Sequence, residues 1–185
     1  MSTTGQKVPG VTSTNGSGAS WSNVGSPGSA SSSDNTYCTA VCTRLTTGNN
    51  QSQDLYAQTF GFSIPTGSTI NGVIVAVEKA QSGSAIRDTE VKLLNDSSSK
   101  IGSNYADTGT NWNGSDTVKT YGSSTDLWGA TLTPAIVNSS NFGLTFSCFD
   151  TSATTTRNAN IDQITMEVYY TPPASTLPGN FFQLF

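Results

Sequence analysis

Apolar side chains recur along this chain with a period of two, the spacing of strands and not of helices. The clearest stretch is Phe60-Gly-Phe-Ser-Ile-Pro-Thr-Gly-Ser-Thr-Ile-Asn-Gly-Val-Ile-Val-Ala-Val-Glu78. It reads as the end of one strand, a Pro65-Thr66-Gly67 turn, and a second, long strand. Val73, Val75 and Val77 face one way and Ile74 and Ala76 the other. Both faces are apolar, which predicts a strand buried on both sides in the middle of packed β structure.

The same period continues on either side. From Thr36, Tyr37, Thr39, Val41, Thr43 and Leu45 form one face and Cys38, Ala40, Cys42 and Arg44 the other. Thr47-Gly-Asn-Asn50 is a turn, and Asp54 to Phe60 a second strand. In Ile86 to Leu94, Thr89, Val91 and Leu93 alternate with Asp88, Glu90 and Lys92, so one face is predicted to be wet. Residues 95–126 read as short strands and loops. Thr133-Pro134 is an N-cap followed by Pro at the first helical position, which predicts one helical turn over Pro134–Asn138. Phe142 to Phe149 and Ile161 to Thr171 are the last strands, separated by a polar loop over 150–160. Pro172-Pro173 stops the sheet. In the last strand Asp162 falls on the apolar side and is placed at the rim.

Two ends lie outside this pattern. Residues 1–33 carry only Val8, Val11, Trp21 and Val24 as sizeable apolar groups, too few to offset the entropy of ordering alone. They read as a disordered tail, or as an arm that lies on its own domain or on a neighbouring subunit. The chain closes on Asn-Phe-Phe-Gln-Leu-Phe185, whose apolar side chains call for a docking surface on the parent domain or on a partner. The expected organisation is an arm over 1–33, an antiparallel β-sandwich over 34–173 and a docking tail over 174–185. Candidate subunit contacts are Val8, Val11, Trp21, Phe181, Phe182, Leu184 and Phe185.

Composition supports an all-β chain: 55 Ser and Thr, 15 Asn and 18 Gly leave little room for strong helix formers. The eight Lys and Arg are scattered and the net charge is −4, so no phosphate-binding patch for nucleic acid is formed. No apolar run approaches the roughly 20 residues of a membrane span. No apolar h-region follows the N-terminus, which predicts a protein made and used without Sec export, or one whose signal has been removed.

Candidate chemistry is thin. There is no His, which excludes Ser-His-Asp and Cys-His arrangements and the usual general base. The three cysteines, Cys38, Cys42 and Cys148, are an odd number, which argues against a disulfide framework. On one strand Cys38 and Cys42 stand roughly 13 Å apart, too far to bridge. Three free, mostly buried thiols are expected, with a bridge across a turn or to Cys148 as the alternatives. Asp54, Glu78, Asp88, Glu90, Asp126, Asp150, Asp162 and Glu167 are the carboxylates a glycoside hydrolase could use, but nothing in the sequence pairs them. Asn95-Asp96 and Asp150 could contribute to a calcium site, or could bond their own turns. Trp112, Tyr105, Tyr121 and Trp128 could stack on sugars, or could cap the core.

The run Phe60–Val73, then Asp88-Thr-Glu-Val-Lys-Leu93, Trp112, Tyr121-Gly122, Asp126-Leu-Trp-Gly-Ala-Thr-Leu-Thr133, Val137–Leu144 and Ile161–Tyr170 resembles a jelly-roll-type module of tailed-bacteriophage structural proteins. The resemblance covers about residues 36–171. It implies a virion role in head decoration (cement) or in the tail, and no catalytic residues. The expectation is therefore a non-enzymatic, jelly-roll-like subunit without cofactor, assembled in the host cytoplasm and carried on the outer surface of the particle. Its partners would be copies of itself, as a homotrimer, and a major capsid protein, with no nucleic acid and no membrane. The alternatives are a tail-fibre or surface adhesin module binding host glycans, and an extracellular filament subunit.

Overall fold

The period-two pattern becomes ten strands and a single helical turn among the described residues. The structure is a computed structural model and describes residues 1–43, 50–152 and 155–174. In chain order the elements are β1 (Ser2–Thr3), β2 (Val11–Asn15), β3 (Cys38–Thr43), β4 (Asp54–Gln58), β5 (Thr69–Gln81), β6 (Ile86–Leu94), β7 (Lys100–Ile101), β8 (Thr117–Ser123), α1 (Pro134–Val137), β9 (Gly143–Asp150) and β10 (Thr156–Thr171). They form two five-stranded sheets in which neighbouring strands run antiparallel. The first has the order β1-β10-β5-β8, with β3 also paired to β10; the second has the order β2-β4-β9-β6-β7.

The two sheets share one apolar cluster. Val73, Val75 and Val77 of β5 and Ile164, Met166 and Val168 of β10 face Leu55 of β4, Val91 of β6, and Leu144, Phe146 and Cys148 of β9. All of these are fully buried, and each aliphatic side chain contributes on the order of 1.5–3 kcal/mol. β5 lies between β10 and β8, as an interior strand should. Its second face differs from expectation: Ile74, Ala76 and Glu78 are half-buried, because among the described residues no further sheet covers that side. The Cys face of β3 points inward and Val41 outward; Cys38, Cys42 and Cys148 are free thiols, all buried. Thr133 caps α1 by accepting from the Ile136 N–H at 3.3 Å.

One bulge reverses a reading made from strict alternation, and at another a residue placed at the rim lies buried. The register between β6 and β9 shifts between Asp88 and Glu90. Thr89 is the extra residue, so Asp88 turns into the core and is fully buried instead of facing water. A second shift lies between Ile161 and Gln163, and Asp162, read on the apolar side at the rim, is buried there, its carboxylate accepting the backbone N–H groups of Asp34 and Asn35. β10 also starts earlier than predicted. Thr156–Asn160, read as loop, pair with β3, with Ala159 buried opposite Ala40.

Of the alternatives left open for residues 1–33, the structure shows the segment lying on its own domain. β1 extends the first sheet and β2 the second. Trp21 bridges to Ala40, and its indole N–H donates to the Gln53 carbonyl at 2.7 Å. The predicted turn over 47–49 and the tail residues Phe181, Phe182, Leu184 and Phe185 lie outside the described residues.

Candidate functional site

Among the described residues the densest polar cluster lies between the two sheets, at the end where the β5–β6 turn meets the loop before β8. The inward face of β5 runs Val73, Val75, Val77 and then Lys79 and Gln81, so its last two core-facing side chains are polar. Lys79 meets Asp88 of the opposite sheet at 2.5 Å and Tyr121 of β8 at 2.6 Å. Tyr121 donates its hydroxyl to the other Asp88 oxygen at 2.8 Å. The Trp112 indole N–H donates to Asp88 at 2.7 Å, and the Asp107 backbone N–H at 3.0 Å. The Lys79 ammonium also lies 4.7 Å from the Trp112 ring centre and 5.2 Å from that of Phe146, both within cation–π range.

Electrostatics follow from burial. Desolvation pushes the Lys79 ammonium below the ordinary lysine range, opposed by the adjacent Asp88 charge. Burial, with Asp88 alongside, pushes the Tyr121 hydroxyl far above the usual phenol range. The cluster is closed on itself. Asp88 accepts four hydrogen bonds, two per oxygen, which fills the capacity of a carboxylate. Lys79 has two polar partners and three aromatic faces around it. The Asp88 oxygens are thus fully engaged within the protein. What this arrangement does is tie β5 and β8 of one sheet to β6 of the other and to the loop carrying Trp112. Gln81 extends the tie: its side-chain oxygen accepts the Ala85 and Ile86 N–H groups at 2.8 and 2.7 Å, and its amide donates to the Trp112 carbonyl.

Against the cluster lies a cavity of about 230 Å³, walled by Lys79, Asp88 and Trp112 of the cluster and by Asn113, Thr117 and Val118. The Asp107–Lys119 ion pair, 3.0 Å long, lines it as well. Lys119 holds the Asp107 carboxyl below its usual range.

The other sequence candidates are scattered. Trp112, Tyr121 and Trp128 are buried and Tyr105 half-buried, so none offers the open ring face that sugar stacking needs. Trp128 is packed against Tyr105 with ring centres 4.4 Å apart and donates to the Val73 carbonyl at 2.9 Å. It closes the opposite end of the core from Trp112. Asp126 holds that corner: it accepts the Trp128 N–H at 2.7 Å and the Tyr105 hydroxyl at 2.6 Å. Asp54 and Glu90 both engage Lys100 on the outer face of the second sheet. Asn95 accepts the Ser97 and Ser99 N–H groups, each at 2.9 Å, and Asp150 accepts that of Ser152 at 2.7 Å. These are self-bonded turns. Among the described residues no three or more Cys, Asp or Glu side chains gather where they could hold a metal ion. Glu78 and Glu167 are half-buried on the outer face of the first sheet.

Of the candidate contact residues, Val8 is exposed, Val11 half-buried and Trp21 buried. Trp21 is thus committed to its own core. Lys79 and Gln81 were missed as members of the central cluster, although their parity with Val73, Val75 and Val77 was legible. No helix among the described residues is long and apolar enough to cross a membrane. No family model, curated protein or solved structure matches the chain.

Proposed function

We propose that this chain is a virion structural protein of the jelly-roll type, a decoration or cement subunit that self-associates on the outer surface of a phage head. The observation that carries the reading is the strand order. With β1 and β2 set aside, one sheet runs β3-β10-β5-β8 and the other β4-β9-β6-β7. Successive strand pairs therefore cross from sheet to sheet as in two nested Greek keys. Eight strands wound in this way make a jelly roll, an architecture used by viral capsid and lectin domains. The closed polar cluster adds support. Lys79 and Asp88, a buried ion pair of the described core, bind one another and tie the sheets together, so this pair serves cohesion, as a structural subunit requires.

The reading places the protein in the host cytoplasm during assembly and on the particle afterwards, with its own copies and a major capsid protein as partners. Its test is the mass and symmetry of the purified full chain, by light scattering and negative-stain imaging, together with co-sedimentation on undecorated heads of the phage that encodes it. A closed trimer that pellets with heads is expected. A chain that stays monomeric at tens of micromolar and does not bind heads overturns the proposal.

A further inference from the structure

The open edge of the first sheet identifies where such copies would join. β8 pairs with β5 along its whole length without a bulge, and its other side has no partner among the described residues. The remaining edges are short or covered. β7 has two residues; β2 is flanked by Gly25, whose carbonyl accepts the Thr12 N–H; β3 is flanked by Trp21 and by Ser22, whose N–H reaches the Thr39 carbonyl. Uncovered edges are a hazard that proteins ordinarily block with charge, proline or bulges. β8 has no proline, and its one charge, Lys119, is held by Asp107. Thr117, Val118, Lys119 and Thr120 are exposed, Val118 at 61%.

The backbone polarity of that edge follows from β5. The Val73 N–H donates to Asp126 and the Gln81 N–H to Asn113, both on the β8 side. By the period of two, Val75, Val77 and Lys79 also point their backbone groups at β8. Their partners Tyr121, Lys119 and Thr117 answer them. The N–H and C=O groups of Val118 and Thr120 therefore point outward. Two cavities flank this edge and both touch Val118: the one of about 230 Å³ beside Trp112, and one of about 180 Å³ on the outer face lined by Ala76, Glu78 and Gln163. An added strand sends alternate side chains to opposite faces, so one register serves both cavities.

We propose that β8 is a docking edge and that its occupant is the segment Phe181-Phe-Gln-Leu-Phe185 of a second copy of this chain. The proposal rests on the assembly reading above and adds its joint. The segment is uncharged and rich in strand-forming aromatics; Phe182 and Leu184 alternate with Phe181, Gln183 and Phe185. It follows the end of β10 after Pro172, Pro173 and Ala174. The seven steps from Ala174 to Phe181 span at most about 24 Å, long enough to reach an adjoining copy. The resulting joint is head-to-tail, tail of one copy on edge of the next, and such joints close into rings when the rotation allows.

The test uses full-length chains and one mixing experiment. Thr120→Pro removes an outward donor while leaving the bonds to β5 in place, and Val118→Lys, at an exposed side chain, is the parallel edge variant. Phe182→Ser with Leu184→Ser disables the tail. Far-UV circular dichroism and tryptophan fluorescence check that each is folded. Each variant alone is expected to associate at least ten-fold more weakly than wild type. Mixing an edge variant with the tail variant leaves one intact tail and one intact edge, so a 1:1 dimer and nothing larger should form. If wild type assembles while folded edge and tail variants assemble equally well, or if the mixture gives no dimer, the docking edge is wrong and the assembly reading stands. If wild type itself is monomeric, both fall.

Discussion

Asp88→Asn tests whether the polar cluster locks the two sheets as described. The change is nearly isosteric and removes one charge. Asn can accept from Lys79 and Trp112 through its oxygen, but its amide then faces Tyr121 and the Asp107 N–H, which presently donate to Asp88. At least one buried donor is orphaned, at about 1–3 kcal/mol. The Lys79 charge adds more, but that part has a ceiling, because the amine can give up its proton. From an unfolded lysine value of about 10.4, neutralisation costs at most about 4.6 kcal/mol at pH 7 and about 1.9 kcal/mol at pH 9. The expected total at pH 7 is on the order of 3–5 kcal/mol, the range for breaking a buried pair. The sign of the pH dependence is fixed. In the variant the folded-state lysine value falls further below the unfolded one. Between the two the unfolded chain holds a proton that the folded chain lacks, so stability rises with pH. Urea unfolding of wild type and variant, followed by tryptophan fluorescence at pH 7 and 9, measures both. A penalty below about 1 kcal/mol at pH 7 refutes the lock. So does an equal penalty at the two pH values, since it would mean that Lys79 is not left charged and unpaired.

Two further outcomes follow from the same packing. Gly122 has φ of 75° and a Cβ there would run into the Val73 carbonyl and the Trp128 indole nitrogen, so Gly122→Ala should lose more than about 2 kcal/mol from strain and overpacking; a loss under 1 kcal/mol in urea unfolding would show that this corner yields. In alkaline titration followed by tyrosinate absorbance, Tyr121, raised by burial, and Tyr37, pushed up to about 12 by its hydrogen bond to Asp116, should not ionise near the ordinary value. Both folded-state values lie above the unfolded one, so their stabilisation is full below about pH 10 and is lost as pH rises beyond it. Smooth ionisation of all six tyrosines with the fold intact would contradict the buried position of Tyr121.

The strands were legible where alternation is strict and became illegible at the bulge in β6. β5, β9 and α1 follow directly from Val73–Val77, Phe142–Cys148 and the Thr133-Pro134 cap. Asp88 was misplaced because its run, Asp-Thr-Glu-Val-Lys-Leu, alternates perfectly, and only the opposing β9 backbone shows that Thr89 is an extra residue. Asp162 was read on the correct side but at the rim, because the Asp34 and Asn35 backbone that covers it is distant in sequence. The signal that could have found the central cluster was the continuation of the β5 core face into Lys79 and Gln81. A cation on the core side of a strand needs a buried anion, and Asp88 is the next carboxylate to follow Glu78, across one tight turn. The arm was ambiguous because Trp21 is one aromatic among small polar residues. What it packs on, Ala40 and the Gln53 carbonyl, is distant in sequence.

The position of the lock bears on assembly as well as on stability. Lys79 pairs directly opposite Thr117, the first residue of β8, and Tyr121 fixes the same strand four residues later. Asp88 and the loop with Trp112 and Asp107 hold those two anchors from the other sheet, while Asp107 also restrains Lys119 between them. An edge strand left unpaired on one side is ordinarily the part of a sheet most prone to fray. Here alternate residues of its inner row are fastened into the core or to the loop, and the Val118 and Thr120 backbone groups point away from β5. A partner strand then meets a rigid template and does not have to order it on binding, which removes an ordering term that would weaken association. On this argument the buried charges are retained because they hold an exposed edge in register. Weakening the lock by Asp88→Asn should lower association in proportion to the fraying of β8, before the domain as a whole unfolds.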